Sequence, residues 1–138
     1  MRQGFELVEH TADVGLRAWG PTPEGVFEEA AKGMFSLICD PLTIEEQRTD
    51  EISLEADLTD VLLVDWLNEL LYTFEARRVL FSQFEVHIEG DRLEARATGE
   101  VLDPRRHAIC GGVKAATLHQ LSLCRRNHGW EALVYFDV

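Results

Sequence analysis

Around Gly90-Asp91 the chain has almost no freedom of register. If these two residues form the turn of a hairpin, Ile88 faces Leu93, Val86 faces Ala95 and Phe84 faces Ala97, so the apolar residues of both arms share one face. A slip of one residue would move that whole set into water, and the segment is therefore predicted as a half-buried antiparallel hairpin. A second alternating pair, "KAATLHQLSLC" and "WEALVYFDV", is joined by "RRNHG". Either plausible two-residue turn there matches Thr117, His119, Leu121 and Leu123 with Ala132, Val134, Phe136 and Val138, and sends Asp137 to the opposite face.

The rest of the chain supplies what these hairpins pack against. "FELVEH" and "VGLRAW" read as neighbouring strands flanking "HTAD". At "GPTPEG" the period changes: Thr22 is a good N-cap with Pro23 at the first helical position, and Val26, Phe27, Ala30, Ala31, Met34 and Ile38 recur at helical spacing until Pro41. Ile52, Leu54 and Ala56 alternate with Glu51, Ser53 and Glu55, predicting another strand. Asp57 is placed to cap a second helix in "LTDVLLVDWLNELLYTFEA", whose apolar face is Leu62, Leu63, Trp66, Leu67, Leu70, Leu71 and Phe74, with Asp65, Asn68, Glu69 and Tyr72 opposite. This order is not the regular alternation of a doubly wound sheet. It predicts an α+β two-layer sandwich, a largely antiparallel mixed sheet with two helices packed on one face, in a single domain spanning 1–138.

Charge narrows the partners. Twenty-five Asp and Glu against 13 Lys and Arg leave a formal charge of −12, which argues against direct, sequence-specific nucleic-acid binding and favours a cation or a basic protein. Cys39, Cys110 and Cys124 are widely spaced and set among apolar or small neighbours, and are expected to be reduced, mostly buried thiols of a cytoplasmic protein. No window reaches the roughly 18 apolar residues of a membrane span, so no membrane partner is expected.

The polar stretch "EHTADVG", Glu9 to Gly15, holds the first candidate residues. Asp13 between two strands reads either as an Asx-turn acceptor or as a ligand of a hard cation, which requires oxygens from distant parts of the chain to converge. A second contributor lies at "FDV", where Asp137 brings its side chain and Val138 a terminal carboxylate. Three carboxylates at one locus repel, so their meeting would call for a divalent cation or a raised pKa. His10 and His119 have no Cys or His partner at a zinc spacing, and His119, sharing a face with Leu121 and Leu123, is expected as a hydrogen-bonded core residue with a functional role as the alternative. Thr11 is read with His10 as a supporting hydrogen bonder. Lys114 follows "CGGV", where glycines allow close backbone approach; it is read either as a phosphate contact or as a solvated lysine. Neither a G-x-S-x-G elbow nor a phosphate-binding G-x-x-x-x-G-K-[ST] loop occurs.

Taken in order, "FELVEHTADVGLRAWGPTPEGVFEEAAKGMF", "DWLNELLY", "GE" with the downstream "DPRRH", "VKAATLH" and the final "DV" resemble the archease family over essentially the whole chain. Ala116 and Leu118 depart from the expected "KAVTYH" but leave Lys114, Thr117 and His119 in place. The resemblance implies a compact α+β protein without catalytic activity. It would activate the GTP-dependent RNA ligase that joins 2′,3′-cyclic-phosphate or 3′-phosphate ends to 5′-hydroxyl ends in tRNA splicing and RNA repair, promoting ligase guanylylation and multiple turnover. It also implies a divalent metal site, calcium-like, at Asp13, Asp137 and Val138. On that reading the acidic cluster approaches the active site of the ligase catalytic subunit and assists metal or nucleotide placement, with Lys114 in the same region. Two other readings stay open on residue chemistry: a small metal-dependent phosphoester hydrolase using Asp13, Asp137 and His10 or His119 around a cation, and a general acidic chaperone or interaction module.

Overall fold

In the computed structural model, which describes residues 2–9 and 13–138 and only the backbone of Glu9, the alternating segments form strands and the periodic ones helices. The elements run β1 (Gly4–Glu9), β2 (Asp13–Gly20), α1 (Pro23–Ile38), β3 (Arg48–Glu55), α2 (Thr59–Arg77), β4 (Val79–Glu89), β5 (Arg92–Val101), β6 (Ala115–Arg126) and β7 (Gly129–Asp137), with a 3-10 turn at Pro41–Thr43. The result is an α+β sandwich.

The β4–β5 hairpin has the predicted register, with Phe84 opposite Ala97, Val86 opposite Ala95 and Ile88 opposite Leu93. Gly90 makes the turn at φ +63°, a conformation in which a Cβ would be strained. Thr22 caps α1 as expected, its hydroxyl accepting the Gly25 N–H, while the α2 N-cap is Leu58 with no side-chain cap. Asp57 therefore does not cap α2; the helix begins one residue later than its position would require.

The strands separate into two antiparallel sheets rather than one, β1-β2-β7-β6 and β3-β5-β4. The helices account for this. α1 packs on β2 of the first sheet and β4 of the second, and α2 packs mainly on β6. Two edges that might have joined are occupied by helix side chains. Glu28 of α1 accepts the Val86 N–H of β4 at 3.0 Å. Asn68 of α2 accepts the Ala116 N–H at 2.8 Å and donates to the Ala116 carbonyl at 3.1 Å, acting on β6 as a neighbouring strand would.

Between the layers lies one cluster of buried apolar side chains, including Leu16, Phe27, Met34, Phe35, Trp66, Phe81, Val134 and Phe136. Trp66 ties the helices together by donating its indole N–H to the Phe27 carbonyl at 3.0 Å. Gly33 permits close packing, because a Cβ there would lie 2.5 Å from a Leu16 methyl group and force that side chain to shift.

β6 departs from its predicted register. Leu123 does face Ala132, but the pairing shifts between Thr117 and Ser122, with Gln120 at φ +54°, and Thr117 lies opposite Tyr135. The extra residues reverse the face of everything before them, so Thr117 turns outward and His119 is exposed instead of lying in the core. The thiols differ from expectation too: Cys39 is buried, Cys124 half-buried and Cys110 exposed, all three free. Cys110 lies in the connection between β5 and β6 and Cys124 on the outer face of β6, away from the core.

Candidate metal centre and its supporting cluster

Register alone brings Asp13 and Asp137 together. They are directly opposed on the antiparallel strands β2 and β7, and Ala115 stands opposite Asp137 on the other side. Opposed residues in such a pair have Cα atoms about 4.5–5.5 Å apart and side chains on the same face. Along β2 and β7 the core takes Leu16, Ala18, Ala132, Val134 and Phe136, which leaves Asp13 and Asp137 on the outer face, the first half-buried and the second exposed. Val138, half-exposed, follows Asp137 directly.

The next row inward on that face is Val8, Gly15, Tyr135 and Thr117. A Cβ on Gly15 would lie 3.0 Å from the Tyr135 ring and 3.1 Å from the Val8 carbonyl, so the glycine that closes "EHTADVG" lets the ring lie across β2. Lys114 joins the same end of the sheet. Its backbone N–H donates to the Asp137 carbonyl at 2.8 Å, extending the ladder by one bond, and its side chain is exposed. His119 stays on the irregular stretch of β6, and His10 and Thr11 lie outside the described residues.

The connection carrying Lys114 is held along its length. Cys39 bridges Ile109, and the Cys110 N–H donates to the Ile38 carbonyl at 2.7 Å, fastening it to the end of α1. Its beginning is held by a buried ionic cluster. Glu100, 3 % exposed, accepts from Arg106, from the Glu45 N–H and from His107 Nε2 at 3.2 Å. His107, 4 % exposed, accepts the Asp103 N–H on Nδ1 at 2.9 Å, which leaves the proton on Nε2 to be shared between Glu100 and the Thr43 carbonyl. The Arg106 hydrogen bond, with those from Glu45 and His107, holds the Glu100 carboxyl well below the usual range, at about 2, against the opposing effect of burial.

Asn68, Tyr135 and the Glu100–Arg106–His107 cluster carry no role in the sequence reading. For the cluster the signal was present in "GE" and "DPRRH", an acid and a histidine bracketing a proline turn. For Asn68 nothing in the helical pattern distinguishes it from its polar neighbours.

Among the described residues no group of three or more His, Cys, Asp or Glu side chains is poised to hold a metal ion. The site is an all-oxygen one whose described side chains are Asp13 and Asp137, opposed on one face of paired strands. Its chemistry fits a hard divalent cation, which takes carboxylate oxygens from separate chain segments, and not zinc, which prefers nitrogen and sulfur. Among the described residues no helix is long and apolar enough to cross a membrane.

Comparison with known proteins finds similarity over nearly the whole chain. The model of the archease protein family (MTH1598/TM1083) matches residues 5–138. Protein archease of Methanosarcina mazei is 40% identical over 139 residues, covering 97% of this chain and 95% of its own. The solution structure of Methanobacterium thermoautotrophicum protein 1598 superimposes with a TM-score of 0.87 at 34% identity, covering 98% of this chain and 99% of its own. The crystal structure of an archease from Thermotoga maritima, described as a possible chaperone, shares the fold at a TM-score of 0.67 and 21% identity, covering 100% of this chain and 98% of its own. The chain belongs to the archease family.

Proposed function

We propose that this protein is a non-catalytic activator of the GTP-dependent RNA ligase of tRNA splicing and RNA repair, promoting guanylylation of the ligase catalytic subunit and its multiple turnover. The observation that carries the reading is the opposition of Asp13 and Asp137 beside Val138, at an exposed end of a strongly acidic protein. The partner follows from the motif resemblance, and the charge is suited to it. At −12 the chain is poorly matched to an RNA backbone and well matched to the basic mouth of an enzyme that handles RNA, where opposite fields speed encounter.

Asp13, Asp137 and Val138 are the residues that would hold a divalent cation, most simply calcium given the all-oxygen donors. When bound, such an ion supplies the positive charge that allows the carboxylates to share one locus. The remaining work belongs to the chain. Asn68 holds β6 in place, the Lys114 N–H extends the β6–β7 ladder to Asp137, and the Lys114 side chain stands ready for an anionic group of the ligase or its nucleotide.

The test is a ligation time course with the ligase limiting. Product beyond one equivalent of ligase is expected only when this protein is present, and Asp13→Asn or Asp137→Asn should reduce the yield to about one equivalent. One-equivalent ligation in the presence of the wild-type protein, or full stimulation by both variants, would overturn the reading.

A further inference from the structure

The outer strands β1 and β4 of the two sheets both flank α1, away from any role proposed above. β1 is an outer strand of the four-stranded sheet and β4 of the three-stranded one. Glu28, Lys32 and Phe35, four and three residues apart, form the stripe of α1 between them. At the Glu28 end the gap is filled, since Glu28 takes the Val86 N–H and Gln3 reaches Glu28 and Glu29. At the Phe35 end it opens into a hollow of about 410 Å³ floored by Phe5, Phe35 and Phe81, with Leu42 at its mouth, 92% exposed.

We propose that this groove receives an extended segment of a protein partner, which places a large apolar side chain in the hollow and a Lys or Arg two residues away beside Glu46. The inference does not rest on the ligase reading. Its first support is backbone geometry. The Val86 N–H marks the free side of β4, and by the two-residue period of a strand the backbone of Phe84 faces the same way, next to Ser82 and Gln83, which line the hollow. The β4 ladder is irregular between Phe81 and Gln83, which bends the edge at the point where the hollow lies. Peptide strands recognised in this way draw affinity from the edge and selectivity from a side-chain hole beside it.

Charge gives the second support. Lys32, on the rim, is matched by Glu29 at 3.1 Å. A neighbouring polar hollow runs from Glu46 across Gln83 to Glu85 and Arg96, and Arg96 stands opposite both Glu51 and Glu85 in the sheet. Glu46 lines both hollows, is exposed, and forms no ion pair among the described residues. A carboxylate at the junction of an apolar and a polar hollow repels phosphate and selects a cation. Residues two apart in an extended segment share a face, which sets the apolar-x-basic spacing.

A titration of the isotope-labelled full-length protein with the blocked peptide acetyl-Thr-Thr-Phe-Thr-Arg-Thr-Thr-amide tests this by amide chemical shifts. Saturable shifts are expected at Leu42, Ser82, Gln83 and Phe84, with Asp13 and Asp137 unmoved. Ala in place of the peptide Phe should abolish them. Glu in place of the peptide Arg, or Glu46→Lys in the protein, should weaken binding about fivefold, as a rim charge does. Glu46 is exposed, so the variant should keep the wild-type spectrum elsewhere. Absence of saturable shifts at these amides, an unchanged affinity for Glu46→Lys, or the same shifts from indole alone at the same concentration would overturn the proposal, the last by making the hollow a small-molecule site. None of these outcomes would touch the ligation assay.

Discussion

Two groups of acidic residues in this molecule are built on opposite principles. Glu100 is withdrawn from water and met by a guanidinium, an imidazole N–H and a backbone N–H. Asp13 and Asp137 are placed side by side near solvent, like charge against like charge, with Val138 next in the chain. A carboxylate buried with its own partners stabilises a fold, since the partners replace the water it has lost. Carboxylates opposed at a surface repel one another, and under the proposed function a divalent cation would offset that repulsion. The comparison sets a charge held by the fold against a pair that the proposed function assigns to a cation.

The sharpest way to break that distinction is to remove each carboxylate and compare stability. Glu100→Ala leaves Arg106 and His107 without their shared acceptor and should cost on the order of 3 kcal/mol in urea unfolding, most of it from stranded polar groups. Saturating calcium should stabilise the wild-type protein by about 2.7 kcal/mol at a hundredfold excess over its dissociation constant, and chelation should reverse this, while Asp137→Asn should show no such gain. Asn68→Ala removes both side-chain bonds to Ala116 and should cost about 2 kcal/mol, read in the same unfolding experiment and in faster hydrogen exchange along the start of β6. The smallest effect is the most telling: without divalent cations, Asp137→Asn, at an exposed side chain, should change stability by less than about 0.5 kcal/mol. A large loss there would make Asp137 a structural residue like Glu100.

Acid titration sharpens the same comparison. The Glu100 carboxyl is lowered from its ordinary 4.5 to about 2 in the folded protein. A depressed carboxyl contributes stability that is complete above the unfolded value and declines as the pH falls toward the folded one. Wild-type stability should therefore drop between about pH 4.5 and pH 2, and Glu100→Gln, already lacking that contribution, should show a shallower fall over the same window.

What could be read ahead of the structure depended on how local its cause was. The β4–β5 register was legible because Gly90-Asp91 and the alternation on each arm agree, leaving a single face for the apolar set. The β6–β7 register was only half legible. Its turn end follows the same logic, but the irregularity after Thr117 has no marker in the sequence, since Gln120 adopts positive φ without being a glycine or asparagine. His119 was misjudged for that reason alone. Glu100 shows the same limit from another side. It shares strand parity with the outward-facing Arg92, Glu94 and Arg96, and it is buried only because the segment around Thr43–Glu45 and the Asp103–His107 turn cover that end of β5.

The division of labour is thus physical. Periodicity, caps and turn residues are properties of neighbours along the chain, so the sequence by itself determined the α+β class, the helix of "PEGVFEEAAKGMFSLI", the first hairpin and the residue types able to bind a hard cation. Which strands share a sheet, which edges are sealed and which carboxylates meet depend on contacts between residues far apart in the chain, such as Glu28 with Val86, Asn68 with Ala116 and Asp13 with Asp137. Those contacts cost chain entropy that only the cooperative core repays, and only the tertiary structure could decide them.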